Sequence, residues 1–173
     1  PANKADHLLE MGDCLYQLGL KDKAMGIFAE VENISPRSDS GIIAKLRTAR
    51  ILLEQDLEAA GELTDKTFYE IMDIYESLKT SDEYQEGPLG SLVKIRIAQT
   101  YTRRGDWDNA LEAYHRAWID TKKEDPIHQY AQAEADKTIL SRLNTLYREE
   151  KYDLIYDLYL LYEDSFMKDL IDS

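Results

Sequence analysis

Apolar residues recur at helical spacing along almost the whole chain, and this periodicity is the strongest limit on how the chain can fold. In the stretch "ADHLLEMGDCLYQL", Leu8, Met11 and Leu15 stand on one face of a helix. Later segments repeat this spacing, and none alternates apolar and polar residues as a half-buried strand would. Glycine and proline number only 8 and 4 among 173 residues, too few for the many turns of an all-β fold. The sequence predicts an all-α fold of about eight helices.

Residues with capping or helix-breaking chemistry divide the pattern into helix pairs. The segment at 80–91 is dense in Ser, Gly, Pro and acidic residues and is predicted to be a loop. Helix starts and stops are predicted at Gly19, Ser38 or Ser40, Pro88, Asp106 and Asp125.

Three stretches share one set of offsets: a first residue, a turn residue seven positions on and an aromatic residue nine further on. In two of them the first residue is small and the turn residue is glycine. A small residue lets two helix backbones approach, a turn glycine permits a positive φ, and the aromatic ring fills the groove between helices. The sets are Gly12, Gly19 and Phe28; Ala98, Gly105 and Tyr114; and, without a small residue or glycine, Leu143, Glu150 and Tyr159. This spacing resembles the tetratricopeptide repeat family, whose unit is a pair of antiparallel helices.

The resemblance implies a right-handed α-solenoid of antiparallel helix pairs over a single domain, 1–173. The approximate repeats are 3–36, 39–79, 88–121 and 126–169. Because a helical pattern starts almost at residue 1 without a Met, we expect the chain to be a piece of a longer protein.

The second repeat leaves two interpretations open. Its first helix carries Ala49 at the small position, and its second helix is either displaced or overlong. Alternatively, a lengthened first helix leads to a second helix with its apolar residues in the usual places: Phe68, Ile71, Tyr75 and Leu78.

Composition and motifs argue against catalysis, nucleic-acid binding and membrane insertion. The formal net charge is −13, and phosphate contacts need clustered cations. No apolar run approaches the ~20 residues that span a bilayer. The three histidines are far apart and are expected at the surface or in packing, and Cys14 is expected to be a small buried hydrophobe. We therefore predict no enzyme, catalytic residue, cofactor or metal site, and the sequence does not indicate a compartment.

The resemblance implies a concave groove, lined by the first helix of each repeat, that binds a peptide or protein. Its cations could grip an acidic or C-terminal carboxylate group, because arginine binds carboxylates through two parallel hydrogen bonds. The family's carboxylate-clamp set is not reproduced, since Leu92 and Ser141 stand where it needs polar or basic groups. Alternatively, the cations only pair with neighbouring acids. The predicted partner-binding residues are Tyr16, Arg47, Arg50, Arg96, Gln99, Arg103, Lys137, Asn144 and Arg148.

The last helix is apolar nearly all round and is predicted to be an interface. Its occupant is either a second copy, giving a homodimer, or a further segment of a longer protein. The favoured function is a protein-interaction or scaffold module, with a structural spacer or self-association domain as the alternative. A third interpretation is a regulatory or enzymatic domain whose chemistry lies outside these residues. The predicted interface residues are Tyr152, Tyr156, Tyr159 and Leu160.

Overall fold

Eight α-helices account for the described part of the protein, which is residues 2–79 and 88–162 of a computed structural model. The prediction of an all-α fold is confirmed, and no strand occurs in these residues. The helices are α1 (Ala2–Gln17), α2 (Lys21–Ile34), α3 (Asp39–Ala60), α4 (Asp65–Lys79), α5 (Pro88–Arg104), α6 (Trp107–Ile119), α7 (Pro126–Arg148) and α8 (Tyr152–Tyr162).

The chain forms two compact units, residues 1–85 and residues 86–173. Each contains four helices in sequence, joined in pairs by short turns that make neighbouring helices antiparallel. The single repeat domain and its four repeat ranges stay predictions. The end of the fourth range, 163–169, lies outside the described residues.

In the first unit, Gly12 of α1 lies directly against the ring of Phe28 of α2. A Cβ atom at Gly12 would collide with that ring, which is fully buried. The same core cluster also contains Ala5 of α1, Ala24 and Val31 of α2, and Ala44 and Ile51 of α3. The absence of a side chain at Gly12 therefore allows the close approach of α1 and α2.

In the second unit, Tyr114 of α6 fills the space among α5, α6 and α7. Its side chain is 1 % exposed, and Ala98 and Ala135 belong to the same buried cluster. The repeat offsets place Leu143 at the small position of the last repeat. Leu143 packs only at the edge of the cluster, and the small buried residues of α7 in the cluster are Ala131 and Ala135.

The turns within the helix pairs use left-handed backbone conformations. Gly19 and Gly105 have φ of 75° and 79°, as expected for turn glycines. The turn between α7 and α8 has no glycine, and Glu150 adopts φ 58° in its place. A residue with a side chain is strained there, so this turn forms at a cost that the other two do not carry.

The second repeat follows the interpretation with a lengthened first helix. α3 runs for 22 residues to Ala60 and is followed by Gly61, whose φ is 77°. α4 then buries the four residues predicted for it: Phe68, Ile71, Tyr75 and Leu78. α7 is similarly long at 23 residues.

The capping predictions hold, with one correction to the loop. Ser38, rather than Ser40, caps α3 by accepting from Gly41 N at 3.2 Å. Asp106 and Asp125 cap α6 and α7. The predicted loop at 80–91 was too long, because α5 begins at Pro88, where proline suits the first helical turn. Residues 80–87 lie outside the described part.

Candidate protein-interaction site

In the first unit, polar residues of α1 and α3 meet across the two helices. Arg47 Nε donates to Asp13 Oδ1 at 2.9 Å. The Tyr16 hydroxyl donates towards both oxygens of Glu54, at 2.6 and 2.9 Å. We call this set, completed by Arg50, the α1–α3 face.

Glu54 is the centre of the α1–α3 face. Arg50 Nε donates to it at 2.8 Å, and Lys21 Nζ of α2 lies 3.4 Å from its second oxygen. The Arg50 guanidinium also lies 5.2 Å from the centroid of the Tyr16 ring. Burial alone would raise the pKa of the Glu54 carboxyl, but hydrogen bonds from Tyr16 and Arg50 outweigh burial and lower it. This surface therefore stabilises a carboxylate.

In the second unit, α5 and α7 meet through a similar network, which we call the α5–α7 face. Gln99 Nε2 donates to the Tyr130 hydroxyl at 3.0 Å and to Glu134 Oε2 at 3.1 Å. Arg96 donates to Gln99 Oε1 at 2.8 Å, and Lys137 Nζ lies 2.6 Å from Glu134 Oε1.

Glu134 takes the central place in this second face. Burial would raise the pKa of its carboxyl, but hydrogen bonds from Lys137 and Gln99 and nearby positive charges lower it. Each unit thus binds one of its own carboxylates, Glu54 or Glu134, on the surface that the sequence predicts to be partner-binding.

The remaining three predicted residues behave differently. Arg103 and Arg148 lie in the last turns of α5 and α7, and both are exposed. Asn144 is also exposed. None of the three makes a hydrogen bond or ion pair with another described residue, so their polar groups face solvent.

The structure divides the nine predicted residues between the units and adds three that were missed. Tyr16, Arg47 and Arg50 come together in the first unit, and Arg96, Gln99 and Lys137 in the second. The missed residues are Glu54, Tyr130 and Glu134. The sequence could have indicated these residues through the repeat length. The hydrogen-bonded pairs between first helices are separated by 31 to 38 residues, close to one repeat of ~34.

The predicted interface residues of α8 are all exposed. Tyr152, Tyr156, Tyr159 and Leu160 are 56, 62, 38 and 49 % exposed, and the neighbouring Tyr147 is 66 % exposed. The helical residues 152–160 therefore present large apolar groups to solvent.

Two further predictions concerned reactive side chains. The prediction of a buried Cys14 is wrong, because Cys14 lies on the exposed side of α1. His7 is at the surface, whereas His128 is buried with Nδ1 3.0 Å from the Trp118 carbonyl oxygen. Trp107 is half-buried under the guanidinium of Arg142, 5.9 Å from the ring centroid.

Metal binding and membrane crossing lack support in the described residues. Within 2–79 and 88–162, no group of three or more His, Cys, Asp or Glu side chains could hold a metal ion. No helix in these ranges is long and apolar enough to cross a membrane.

The described residues form a helical-repeat protein. Its helices are paired by short turns, small residues lie where the helices cross, and polar networks join successive first helices. The model of the tetratricopeptide repeat matches residues 8–38 and 95–118, which cover the greater part of the α1–α2 and α5–α6 pairs. The match supports assigning these two stretches to the tetratricopeptide repeat, as their offsets indicated. Such repeats are non-enzymatic modules that generally mediate protein–protein interaction or scaffolding. Searches for similar curated proteins and for similar solved structures found no match.

Proposed function

We propose that this protein is an interaction module whose α1–α3 and α5–α7 faces bind carboxylate-bearing segments of a partner protein. The observation that carries the proposal is the position of Glu54, held by Tyr16 and Arg50 on the α1–α3 face. An internal carboxylate bound in this way indicates that the surrounding donors have carboxylate-binding geometry.

Arg50, which binds the central Glu54 of the α1–α3 face, has capacity for a second carboxylate. Arg50 uses Nε for Glu54, and its side chain is 48 % exposed. A guanidinium carries five N–H donors, so an incoming carboxylate can bind the outer edge or displace Glu54. Arg47 contributes its positive charge beside Asp13.

The α5–α7 face offers a cation, Arg103, that is not already bound to a carboxylate of the described residues. Arg103 follows Arg96 and Gln99 at helical spacing on α5, and it is exposed without a described partner. Arg148, in the last turn of α7, is likewise exposed. An acidic segment binding here gains charge-assisted hydrogen bonds without breaking an internal ion pair.

Labelled peptides test this proposal directly. The probe is an acidic peptide with a free C-terminal carboxylate, and its comparison peptide has an amidated terminus and Asn and Gln for each acid. We expect Arg103→Ala together with Arg50→Ala to weaken binding of the acidic probe by about tenfold, with less salt dependence than wild type.

Arg116→Ala is the matched control, because Arg116 forms an i,i+4 ion pair with Glu112 on the second helix α6 and is 66 % exposed. Equal binding of both peptides, or equal losses in the Arg103/Arg50 and Arg116 variants, would contradict the proposal.

A second candidate function is self-association through α8. It is favoured by the exposure of Tyr156 and Leu160, one helical turn apart, at 62 and 49 %. Tyrosine rings are frequent in interfaces, because each joins an apolar ring to a polar hydroxyl. The proposed occupant of this surface is a second copy of the chain.

Sedimentation distinguishes a dimer of the chain from a monomer. We expect wild type to sediment as a dimer and the double variant Tyr156→Glu, Leu160→Glu to sediment as a monomer with an unchanged helical circular dichroism spectrum. Tyr69→Glu is the control, because Tyr69 is another exposed tyrosine, at 58 %, on α4. A monomeric wild type at every accessible concentration would exclude self-association.

A further inference from the structure

The surface of the first unit has a groove that the proposed function does not use. It lies between the second helices α2 and α4, with α3 beneath, and has a volume of about 620 Å³. Both α2 and α4 pack on α3. Three half-buried apolar side chains line it, one from each helix: Met25, Leu52 and Ile74.

The groove lies at the edge of the hydrophobic core, against which its lining residue Met25 also packs. α4 buries Phe68, Ile71, Tyr75 and Leu78 elsewhere on its surface, while Ile74 lines the groove and stays half-buried. The apolar lining is therefore available to a side chain from outside.

Carboxylates surround this apolar lining. Glu32 comes from α2, and Glu70 and Asp73 come from α4. None of the three makes a hydrogen bond or ion pair with another described residue. Among the described lining residues the cation is Lys45 of α3, whose Nζ donates to Ser77 Oγ at 3.0 Å. The lining thus carries more negative than positive charge.

The pKa of Glu32 indicates that Lys45 does not fully neutralise the negative charge of the lining. Burial raises the pKa of its carboxyl, and the charge of Lys45 opposes that effect without reversing it. A second cation placed in the groove would favour the ionised carboxylate and replace part of its lost hydration.

We propose that this α2–α4 groove docks a Lys- or Arg-bearing amphipathic segment of a partner protein. An apolar side chain of the segment lies on Met25, Leu52 and Ile74, and its cations lie against Glu32, Glu70 and Asp73. The volume suits a few side chains, as in other recognition pockets. The charge preference is opposite to that of the α1–α3 face, so the two surfaces select different segments.

The probe for this groove is a labelled amphipathic helical peptide of Leu and Lys, compared with a peptide in which Glu replaces each Lys. We expect the Lys peptide to bind the full chain and the Glu peptide not to bind. The double variant Glu70→Lys, Asp73→Lys should weaken binding of the Lys peptide by more than about tenfold. Leu52→Ala should weaken it without changing its salt dependence.

The control Glu10→Lys, Glu62→Lys changes the net charge equally at exposed positions outside the groove. Equal losses in both double variants would show a general charge effect and overturn the proposal. If the Glu70→Lys, Asp73→Lys variant does not fold, the milder double variant Glu70→Gln, Asp73→Asn takes its place. Sedimentation shows whether a second copy occupies the groove; a dimer dissolved by the Glu70 and Asp73 changes would also overturn the proposal. Arg50→Ala should leave binding of the Lys peptide intact, which separates this test from that of the α1–α3 face.

Discussion

Arg47 of α3 binds Asp13 of α1 at 2.9 Å across a separation of 34 residues. The Ser40 hydroxyl donates to Asp6 across the same separation. Both pairs match one tetratricopeptide repeat of ~34 residues, so α3 lies beside α1 in the register of the family. By that register Ile51 lies opposite Gln17, where α1 ends, and α3 continues to Ala60. The additional turns of α3 therefore extend past the α1 end.

Two helical glycines should respond in opposite ways to the same substitution. Gly12→Ala places a methyl group against the buried Phe28 ring and should lower the free energy of unfolding by about 1–3 kcal/mol. Gly26→Ala adds a methyl group in open space on α2 and should raise it by about 0.5–1 kcal/mol. Urea unfolding of both variants measures the difference, and a loss at both positions would contradict this account of Gly12.

The strained turn residue Glu150 predicts a stabilising change. Glycine adopts φ near 58° without a steric cost, so Glu150→Gly should raise the free energy of unfolding by about 0.5–1 kcal/mol. Glu149→Gly is the control, because Glu149 has φ −85° and gains nothing from glycine. Thermal unfolding compares the two, and equal effects would refute the role assigned to strain.

Removing the charge of Glu54 should destabilise the first unit. Glu54→Gln weakens the bonds from Tyr16 and Arg50, and we expect a loss of about 1–2 kcal/mol at neutral pH. Because folding lowers the pKa of Glu54, its contribution is present above the unfolded pKa and is lost as pH falls through the folded pKa. The variant should therefore lose less stability than wild type on acidification.

Glu58→Gln provides the comparison for Glu54, since Glu58 pairs with the same Lys21 but is 68 % exposed. Its effect should stay below about 0.5 kcal/mol. Similar losses at Glu54 and Glu58 in urea titrations at several pH values would disprove the central role of Glu54.

Asp136 of α7 predicts the opposite dependence on pH. Its Oδ1 is buried without a hydrogen-bond partner, and burial raises the pKa of its carboxyl. The folded state then binds the proton more tightly than the unfolded state, so this group lowers stability as pH rises through the raised folded pKa. Asp136→Asn should raise the neutral-pH free energy of unfolding by about 1 kcal/mol and flatten its pH dependence. Asp157→Asn, at an exposed position of α8, should change neither the free energy of unfolding nor its pH dependence.

Much of the fold was predictable from local chemistry. Gly12 and Gly19, and Ala98 and Gly105, stand at offsets set by helix crossing and turn geometry, so the α1–α2 and α5–α6 pairs follow from the sequence. α3 could not be placed in this way. Its turn glycine, Gly61, is twelve residues beyond Ala49 instead of seven, so the offsets of the other pairs do not locate the end of α3.

The candidate site was predictable by residue but not by partner. Helical spacing identified Arg50 and Gln99 as residues of the first-helix surface. Their contacts with Glu54 and Glu134 depend on how helices pair in space, and an acidic chain offers many candidate carboxylates. The α2–α4 groove depends on the separation of two helices across a third, which no local pattern specifies.

The exposed thiol of Cys14 supplies a built-in attachment point for a reporter. It is the one cysteine of the sequence and follows Asp13 directly on α1. A maleimide fluorophore would therefore label wild-type protein at a single position next to the α1–α3 face, without an engineered substitution. Its emission would change with the polarity around Asp13, so ligand arrival at that face could be followed in solution. A segment docking between α2 and α4 would be read by a separate label, which lets both surfaces be titrated in one sample.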